Sequence, residues 1–495
     1  MLIATNLKNF LVKPLIVLIF LTYILSGVQI NGAKADRIKV FIDEKEVIFD
    51  VLPRIENGRV LVPFRAIFEP LGGKVRWHAE QKMVIARFGL LDLRFRVGET
   101  TARLGNKNIN LDVPAKIING RTLIPLRFIS ENLFSAHVEW SNENKTVYIS
   151  SAKEKDVEPI TKAFQSAIFE KKPGEIIDIS HLNVIDVPEI IPERISHPQF
   201  PVTLLFSDSP EYVDQPGVTY RGKAQGDIRL VYYHIPRLNT ASRMALVAHN
   251  PGNETALITV KRHVNGDKEP NRKMWQDLGT AVTLEYLNPK ATQGNSTYSV
   301  PAGSSVLLSP NADDYLHGEL MYGIADLYSD KTLEFSFVLL PKKDIKEVFA
   351  KAKNPVLPAD GRHDRGTFPK GDQLLQVTLG NKLVGFLIGD GFSDPALLGK
   401  DESTGIDTNL LGNYGVNYHL MASFDAPVTV LLVPLGGDIF SGGIVTPDGL
   451  LSLLKVPTFS QALYVGDYQK GEEIEWDFMP PAGSSLPVLI IAVPR

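Results

Sequence analysis

Apolar side chains at Phe64, Ile67, Phe68 and Leu71 recur at i, i+3, i+4 and i+7, the period of one face of a short helix. Pro63 stands where a first-turn proline is tolerated, because that N–H has no helical partner. Gly72-Gly73 stops the helix, as glycine past a C-terminus does. Val75 and Trp77 then alternate with Lys74 and Arg76, the period of a half-buried strand, and residues 83–88 return as its hairpin partner. The same succession follows in residues 120–149. Leu126, Ile129 and Leu133 repeat the helix face, with Ser130 the one departure, and Trp140 repeats Trp77. Gly58, Arg59, Pro63 and Arg65 align with Gly120, Arg121, Pro125 and Arg127 at an offset of 62 residues, which becomes 63 at the tryptophans. Each copy reads as strand, short helix and hairpin. One copy is too small to close a core, so the two are expected to pack as one domain over 36–152, with both tryptophans in its core.

Residues 153–200 change character. Ile160, Ala163, Phe164, Ala167 and Ile168 mark one face of a helix, and prolines at 173, 188, 192, 198 and 201 then favour an extended connector. Beyond Pro201 short β-like runs alternate with turn clusters such as Asn250-Pro251-Gly252-Asn253. They fall into two series, 201–341 and 371–495, joined by a second linker over 342–370 that opens on a helical stretch. The run 281–287 is counted among the strands of the first series. Pro301-Ala302-Gly303-Ser304-Ser305 recurs as Pro481-Ala482-Gly483-Ser484-Ser485, each time before an apolar strand. The fold class expected is mainly β: a domain of two strand-helix-hairpin repeats, then two antiparallel, Ig-like β-sandwiches.

The first 35 residues read as a signal peptide. Lys8 and Lys13 form a basic start, residues 14–25 an uncharged apolar core, and Ala33-Lys34-Ala35 a cleavage site. Its removal takes three lysines and no acid, moving the net charge from −4 to −7, which argues against nucleic-acid and anionic-membrane surfaces. The chain has no cysteine, so lipobox anchors, disulfides, thiol catalysis and thiolate metal sites are excluded.

The GR-x-L-[VI]-P-x-R signature and the V-x-W that follows it, present in both copies, closely resemble the stalk domain, also called the copper amine oxidase N-terminal domain. The resemblance covers about 36–151 and implies a non-catalytic extracellular module common in secreted and surface proteins of anaerobic Gram-positive bacteria. The acidic residue that often follows the tryptophan is His78 in one copy and Ser141 in the other. The later region also resembles an uncharacterised family of secreted bacterial proteins, through Ser207-Asp208-Ser209-Pro210-Glu211, His249-Asn250-Pro251 and Gly412-Asn413-Tyr414-Gly415-Val416. That resemblance implies no known activity.

Copper amine oxidases resemble one another in an N-Y-[DE] cofactor tyrosine and an H-x-H pair. Asn413-Tyr414-Gly415 and Asn417-Tyr418-His419 both lack the acid, and no two of the ten histidines stand at i, i+2. His234, His249 and His263 lie on neighbouring expected strands and could meet on a metal only if their faces coincide. Asp313-Asp314 with Glu319, and Asp390 with Asp394, Asp401 and Glu402, are weak calcium candidates without the D-x-[DN]-x-[DN]-G spacing. Trp275, Tyr286, Tyr298, Tyr315 and Tyr322 are the candidate sugar-stacking rings. The sequence therefore points to a secreted or cell-wall-associated, non-catalytic binding protein that needs no cofactor. Its partner would be wall glycan or an envelope protein, and no transmembrane anchor would remain after cleavage. The rival expectation is a carbohydrate-active enzyme whose carboxylates are dispersed in sequence.

Overall fold

The structure is a computed structural model. It describes residues 37–495 apart from 80, 106, 130–136, 151–156, 196–200, 267–274, 289–295 and 309–313. The expected signal peptide lies outside the described residues. The chain is mainly β. No helix among the described residues is long and apolar enough to cross a membrane.

The chain divides into two compact units differently from the sequence expectation. One comprises the residues up to Leu71 together with Leu111–Ala152; the other comprises Gly72–Asn110 together with Lys153–Arg495. In the first unit the two signature strands, Arg59–Pro63 and Arg121–Pro125, pair antiparallel with Leu123 opposite Pro63 and Pro125 opposite Leu61. Each is also the second arm of a tight hairpin, turning through Asn57-Gly58 or Asn119-Gly120 with φ of 50° and 71°, or 49° and 75°. Positive φ at both turn positions is why Asn-Gly precedes the arginine twice. Arg59 Nε reaches Asp112 at 2.7 Å and Arg121 Nε reaches Asp50 at 2.7 Å, so the copies exchange equivalent ion pairs. The helices Phe64–Phe68 and Leu126–Ile129 bury Phe64, Ile67, Phe68, Leu126, Phe128 and Ile129. The second copy's hairpin, His137–Ser141 with Thr146–Ser150, continues into Lys39–Ile42, which pairs parallel with Thr146–Ser150.

The first copy's hairpin, Lys74–His78 with Met83–Phe88, instead runs on into Leu91–Arg96, Thr101–Leu104 and Lys107–Asn110. The result is a five-stranded meander that belongs to the second unit. The domain expected over 36–152 is thus shared between units. Trp77 and Trp140 are not core residues as expected: they are 40% and 37% exposed. Both stand on strands at the edge of their sheets among the described residues, Lys74–His78 and His137–Ser141.

In the second unit the expected linker 153–200 is woven into sheets. Ile176–Asp178 pairs with Gln461–Tyr468, and Glu193–Ile195 pairs with Asp372–Leu379. Its spaced prolines favour extended backbone, and extended backbone serves an edge strand as readily as a connector. The helix Glu158–Ala167 forms as expected. The two expected sandwiches are not separate either. Strands of 20 and 21 residues, Gly217–Pro236 and Met321–Pro341, form the spine of an eleven-stranded sheet that also takes in Arg365–Phe368, Leu397–Asp401 and Ile406–Leu410. Leu204, Val231 and Ile324 share one core with Leu375, Val430 and Trp476. The run 281–287 is helical, within Trp275–Leu287, because Leu278, Val282 and Tyr286 at i, i+4 and i+8 bury one face. The repeated Pro-Ala-Gly-Ser-Ser is one turn built twice: Gly303 and Gly483 have φ of 70° and 82°, and Ser304 N and Ser484 N donate to Pro301 O and Pro481 O.

A buried guanidinium fastens the two series together. Arg229, on the first spine strand, donates through Nε to Asp326 Oδ1 at 2.8 Å and through Nη2 to Asp326 Oδ2 at 3.2 Å. Its Nη1 reaches Asp372 Oδ1 at 2.7 Å and the carbonyls of Gly371 and Gly415 at 3.2 and 3.1 Å. Tyr286 donates to Asp326 Oδ2 at 2.6 Å.

Candidate functional site

The strand Thr203–Ser207 delivers Ser207-Asp208-Ser209-Pro210-Glu211 against the loop that carries Asp360, His363 and Asp364. His363 bridges two acids, with Nε2 2.7 Å from Glu211 Oε2 and Nδ1 2.7 Å from Asp360 Oδ2. Asp360 accepts further from the backbone N–H groups of Glu211, Arg362 and His363 and from Ser209 Oγ. Burial would raise its pKa, but His363 and these donors outweigh burial and hold the carboxyl well below the usual range. Its neighbours shift the other way. Burial, then the charges of Glu211, Asp364 and Asp360, hold Asp208 well above the usual carboxylate range. Its Oδ1 is enclosed without a hydrogen-bond partner among the described residues. Burial also raises Asp364 to about 6, against the N–H of Leu411 that it accepts at 2.8 Å. The cluster therefore sets one carboxyl held below the usual range, Asp360, beside two raised above it, Asp208 and Asp364. Arg365 fixes its floor, donating to Ser209 O, Thr219 O, Leu357 O and Asp401 Oδ2.

A second charged group lies on a sheet face. His419, on Asn417–Phe424, stands directly opposite Asp477 and diagonal to Glu475 on Glu473–Phe478. Its Nδ1 is 2.6 Å from Asp477 Oδ1 and 3.4 Å from Glu475 Oε1, and its Nε2 is 3.7 Å from Asp372 Oδ2. Burial lowers its pKa, but Asp372 and Asp477 outweigh burial and bring it to about 9, so the imidazole is held as a cation. Among the described residues, His419, Glu475 and Asp477 form the group whose ligand atoms lie close enough together to hold a metal ion.

The histidines singled out by sequence do not converge. Along Met321–Pro341 they face three separated positions: His234 is opposite Met321, His263 opposite Ala325 and His249 opposite Glu334. His234 is buried, donates from Nδ1 to Pro210 O (2.8 Å), meets Ser207 Oγ through Nε2 (2.9 Å), and is pushed down to about 4 by burial. His249 meets Ser305 Oγ at 3.0 Å. Burial also lowers His263. The stacking rings fare no better: Tyr286, Tyr315 and Tyr322 are buried, and Tyr298 packs against a core. Of Trp275 the helix is described but not the side chain. The described calcium candidates meet protein donors, Glu319 accepting the Leu316 N–H. Asp390 pairs with Arg87, Asp394 with Arg194, and Asp401 with Arg365; Asp314 bonds Arg243 and Lys342, and Glu402 accepts the Lys223 N–H. Asp313 lies outside the described residues.

Of the three short motifs, two are structural. Asn250 caps its own turn, with Nδ2 on Glu254 O and Val300 O and Oδ1 on Gly252 N. Asn413 ties Leu397 N, Pro395 O and Tyr418 Oη, and Tyr414 donates to Ser484 O. Sequence reasoning did not single out Asp360, His363, Asp364, His419 or Asp477. The one local signal was the charge density of Asp360-Gly361-Arg362-His363-Asp364-Arg365.

A "Protease inhibitor" of Brevibacillus choshinensis is 28% identical over 150 residues, 30% of this chain and 41% of that protein, so the chain spans about two fifths of its length. Among solved structures, the CUB1-EGF-CUB2 domain of human MASP-1/3 is 8% identical, with 56% of this chain and 99% of that one covered, at a TM-score of 0.17. Lac15 from a marine microbial metagenome is 10% identical, with 59% and 61% covered, at 0.10. Neither score implies a shared fold. Residues 41–149 match the copper amine oxidase N-terminal domain.

Proposed function

We propose that this is a secreted or envelope-associated bacterial protein that binds a ligand without transforming it, the module over 41–149 serving a β-rich body that contacts wall glycan or a protein partner. One observation carries the binding reading. Trp77 and Trp140, equivalent residues of the two copies, stand on edge strands with 40% and 37% of their surface open. An indole held on a strand with one side open can stack on a sugar ring at little entropic cost. The relative named as a protease inhibitor makes a protease the first protein partner to try. Co-sedimentation of the purified protein with intact wall sacculi tests the reading, with Trp77→Ala/Trp140→Ala as comparison. Retention by sacculi that falls in the double variant supports glycan binding; equal retention, or none by either protein, removes it.

A second reading is favoured by Asp208 and Asp364, whose carboxyls burial raises, Asp208 well above the usual range and Asp364 to about 6, beside Asp360, which is held below it. Carboxyls pushed apart in pKa are the means by which glycoside hydrolysis obtains an acid and a base. Release of soluble sugar from sacculi, lost in Asp364→Asn, would support it. No release by the unaltered protein ends it.

A further inference from the structure

The alternation of the meander places Arg87, Asp92, Arg94 and Arg103 on one face, opposite the buried Val84, Leu93 and Phe95. Arg87 faces Asp92 across one strand pair, and Arg94 faces Arg103 across the next. Like charges directly opposite one another are unfavourable in a sheet unless something between them carries the opposite sign. All four residues line a cavity of about 140 Å³ in the second unit, closed on its far side by the Leu435-Gly436-Gly437 turn and by Ser485 to Pro487. The turn is pressed close: a Cβ at Gly436 would come within 2.3 Å of Leu486 O. The cavity is larger than a single water needs.

Arg87 is 2% exposed. Its Nη1 pairs with Asp390, and its Nε lies 3.0 Å from Asp92 Oδ1. Its Nη2 is enclosed and has no hydrogen-bond partner among the described residues. A buried guanidinium nitrogen left unmatched calls for an acceptor, and the side chains lining this cavity offer one carboxylate against three guanidinium groups. Arg94 reaches Asp92 only at 3.6 Å, and Arg103 spends its bonds on Gly105 O and the exposed Asp438. Donors approaching from several strands suit a tetrahedral oxyanion, which presents acceptors in several directions, better than a planar carboxylate.

We propose that this cavity is an anion site that takes a phosphate group, either as the free ion or as an ester on a larger molecule. It is independent of the wall-binding reading and would stand if that reading failed. Because its walls come from the first copy's meander and from the C-terminal strands, an occupant would pin those two parts of the unit together.

The test is isothermal titration of the full-length protein with inorganic phosphate at constant ionic strength, with chloride as reference and glycerol phosphate as the ester. Arg87→Met would leave buried Asp390 without its partner and confound binding with folding, so the variant of choice is Arg94→Gln/Arg103→Gln. Its side chains are 48% and 45% exposed, and the fold is checked by its melting temperature in chloride. The expected result is saturable, one-to-one phosphate binding that weakens at least tenfold in the double variant, consistent with the loss of two charge-assisted contacts. Tighter binding of the ester than of the free ion would assign the site to a larger ligand, and the reverse to the ion itself. Phosphate binding no stronger than chloride, or equal in protein and variant, overturns the proposal.

Discussion

Replacing Arg229 by methionine should destabilise the second unit by about 3–4 kcal/mol. The side chain is 2% exposed and carries five hydrogen bonds, three to carboxylate oxygens and two to carbonyls. Methionine fills much of the volume, so the loss is electrostatic: the nearly buried Asp372, 8% exposed, and Asp326, 25% exposed, remain as carboxylates without their cation. Removing one partner of a buried pair costs about 3–5 kcal/mol. The lower part of that range applies here because Tyr286 still donates to Asp326 and His419 still faces Asp372. Arg229→Lys should fall between, since one ammonium cannot reach two carboxylates and two carbonyls at once. Equilibrium urea unfolding followed by fluorescence reads the change, with Trp476, fully buried in the shared core, as a reporter. A loss under about 1 kcal/mol would refute the reasoning, because buried charges left alone cost more than that. So would a transition that splits, with 371–495 unfolding apart from 201–341.

The cation at His419 makes stability pH-dependent. Its folded pKa of about 9 lies above the unfolded value near 6.5, so its contribution is complete below about pH 6.5 and disappears as pH rises through 9. Urea melts across that window should show a decline that His419→Gln flattens; an equal decline in both proteins counts against it. Trp77→Ala and Trp140→Ala should each cost less than about 2 kcal/mol, well short of the ~3–5 kcal/mol of a fully buried large aromatic. Thermal melts that show the larger loss would place these rings in the core after all. Folding should need no metal, so melting temperatures with and without EDTA should coincide. A drop on chelation, with stoichiometric metal by elemental analysis, would direct attention to His419, Glu475 and Asp477.

Local chemistry was legible in the sequence where its cause is local. The helix faces at Phe64 and Leu126 follow from period, and the repeated Pro-Ala-Gly-Ser-Ser is one local turn; the Asn-Gly turns behind the two signature arginines, with φ positive at both positions, were not read from the sequence. What depends on partners distant in sequence was not. Trp77 alternates as a buried residue does, and only the sheet order shows its strand at an edge. The 281–287 run carries β-branched residues, yet burial of Leu278, Val282 and Tyr286 overrides that preference. The middle of the Gly217–Pro236 strand is polar and bulged between Ala224 and Gly226, so an apolar-run criterion finds its end and misses its length. The acid cluster is assembled from segments about 150 residues apart, with each carboxylate's role set by the others. No spacing rule could have found it.

The assignment of residues 72–110 to the second unit has a consequence for the chain as a thread. The polypeptide passes from one compact unit to the other three times, after Leu71, after Asn110 and after Ala152. Beads on a string would need only one crossing. A single cut between Ala152 and Lys153 therefore does not part the units, since two covalent crossings remain upstream. A fragment ending at 152 would carry the 72–110 meander away from the strands it packs with, baring Arg87 and the apolar side chains around it. Such threading leaves the two units covalently joined after a single cut between them.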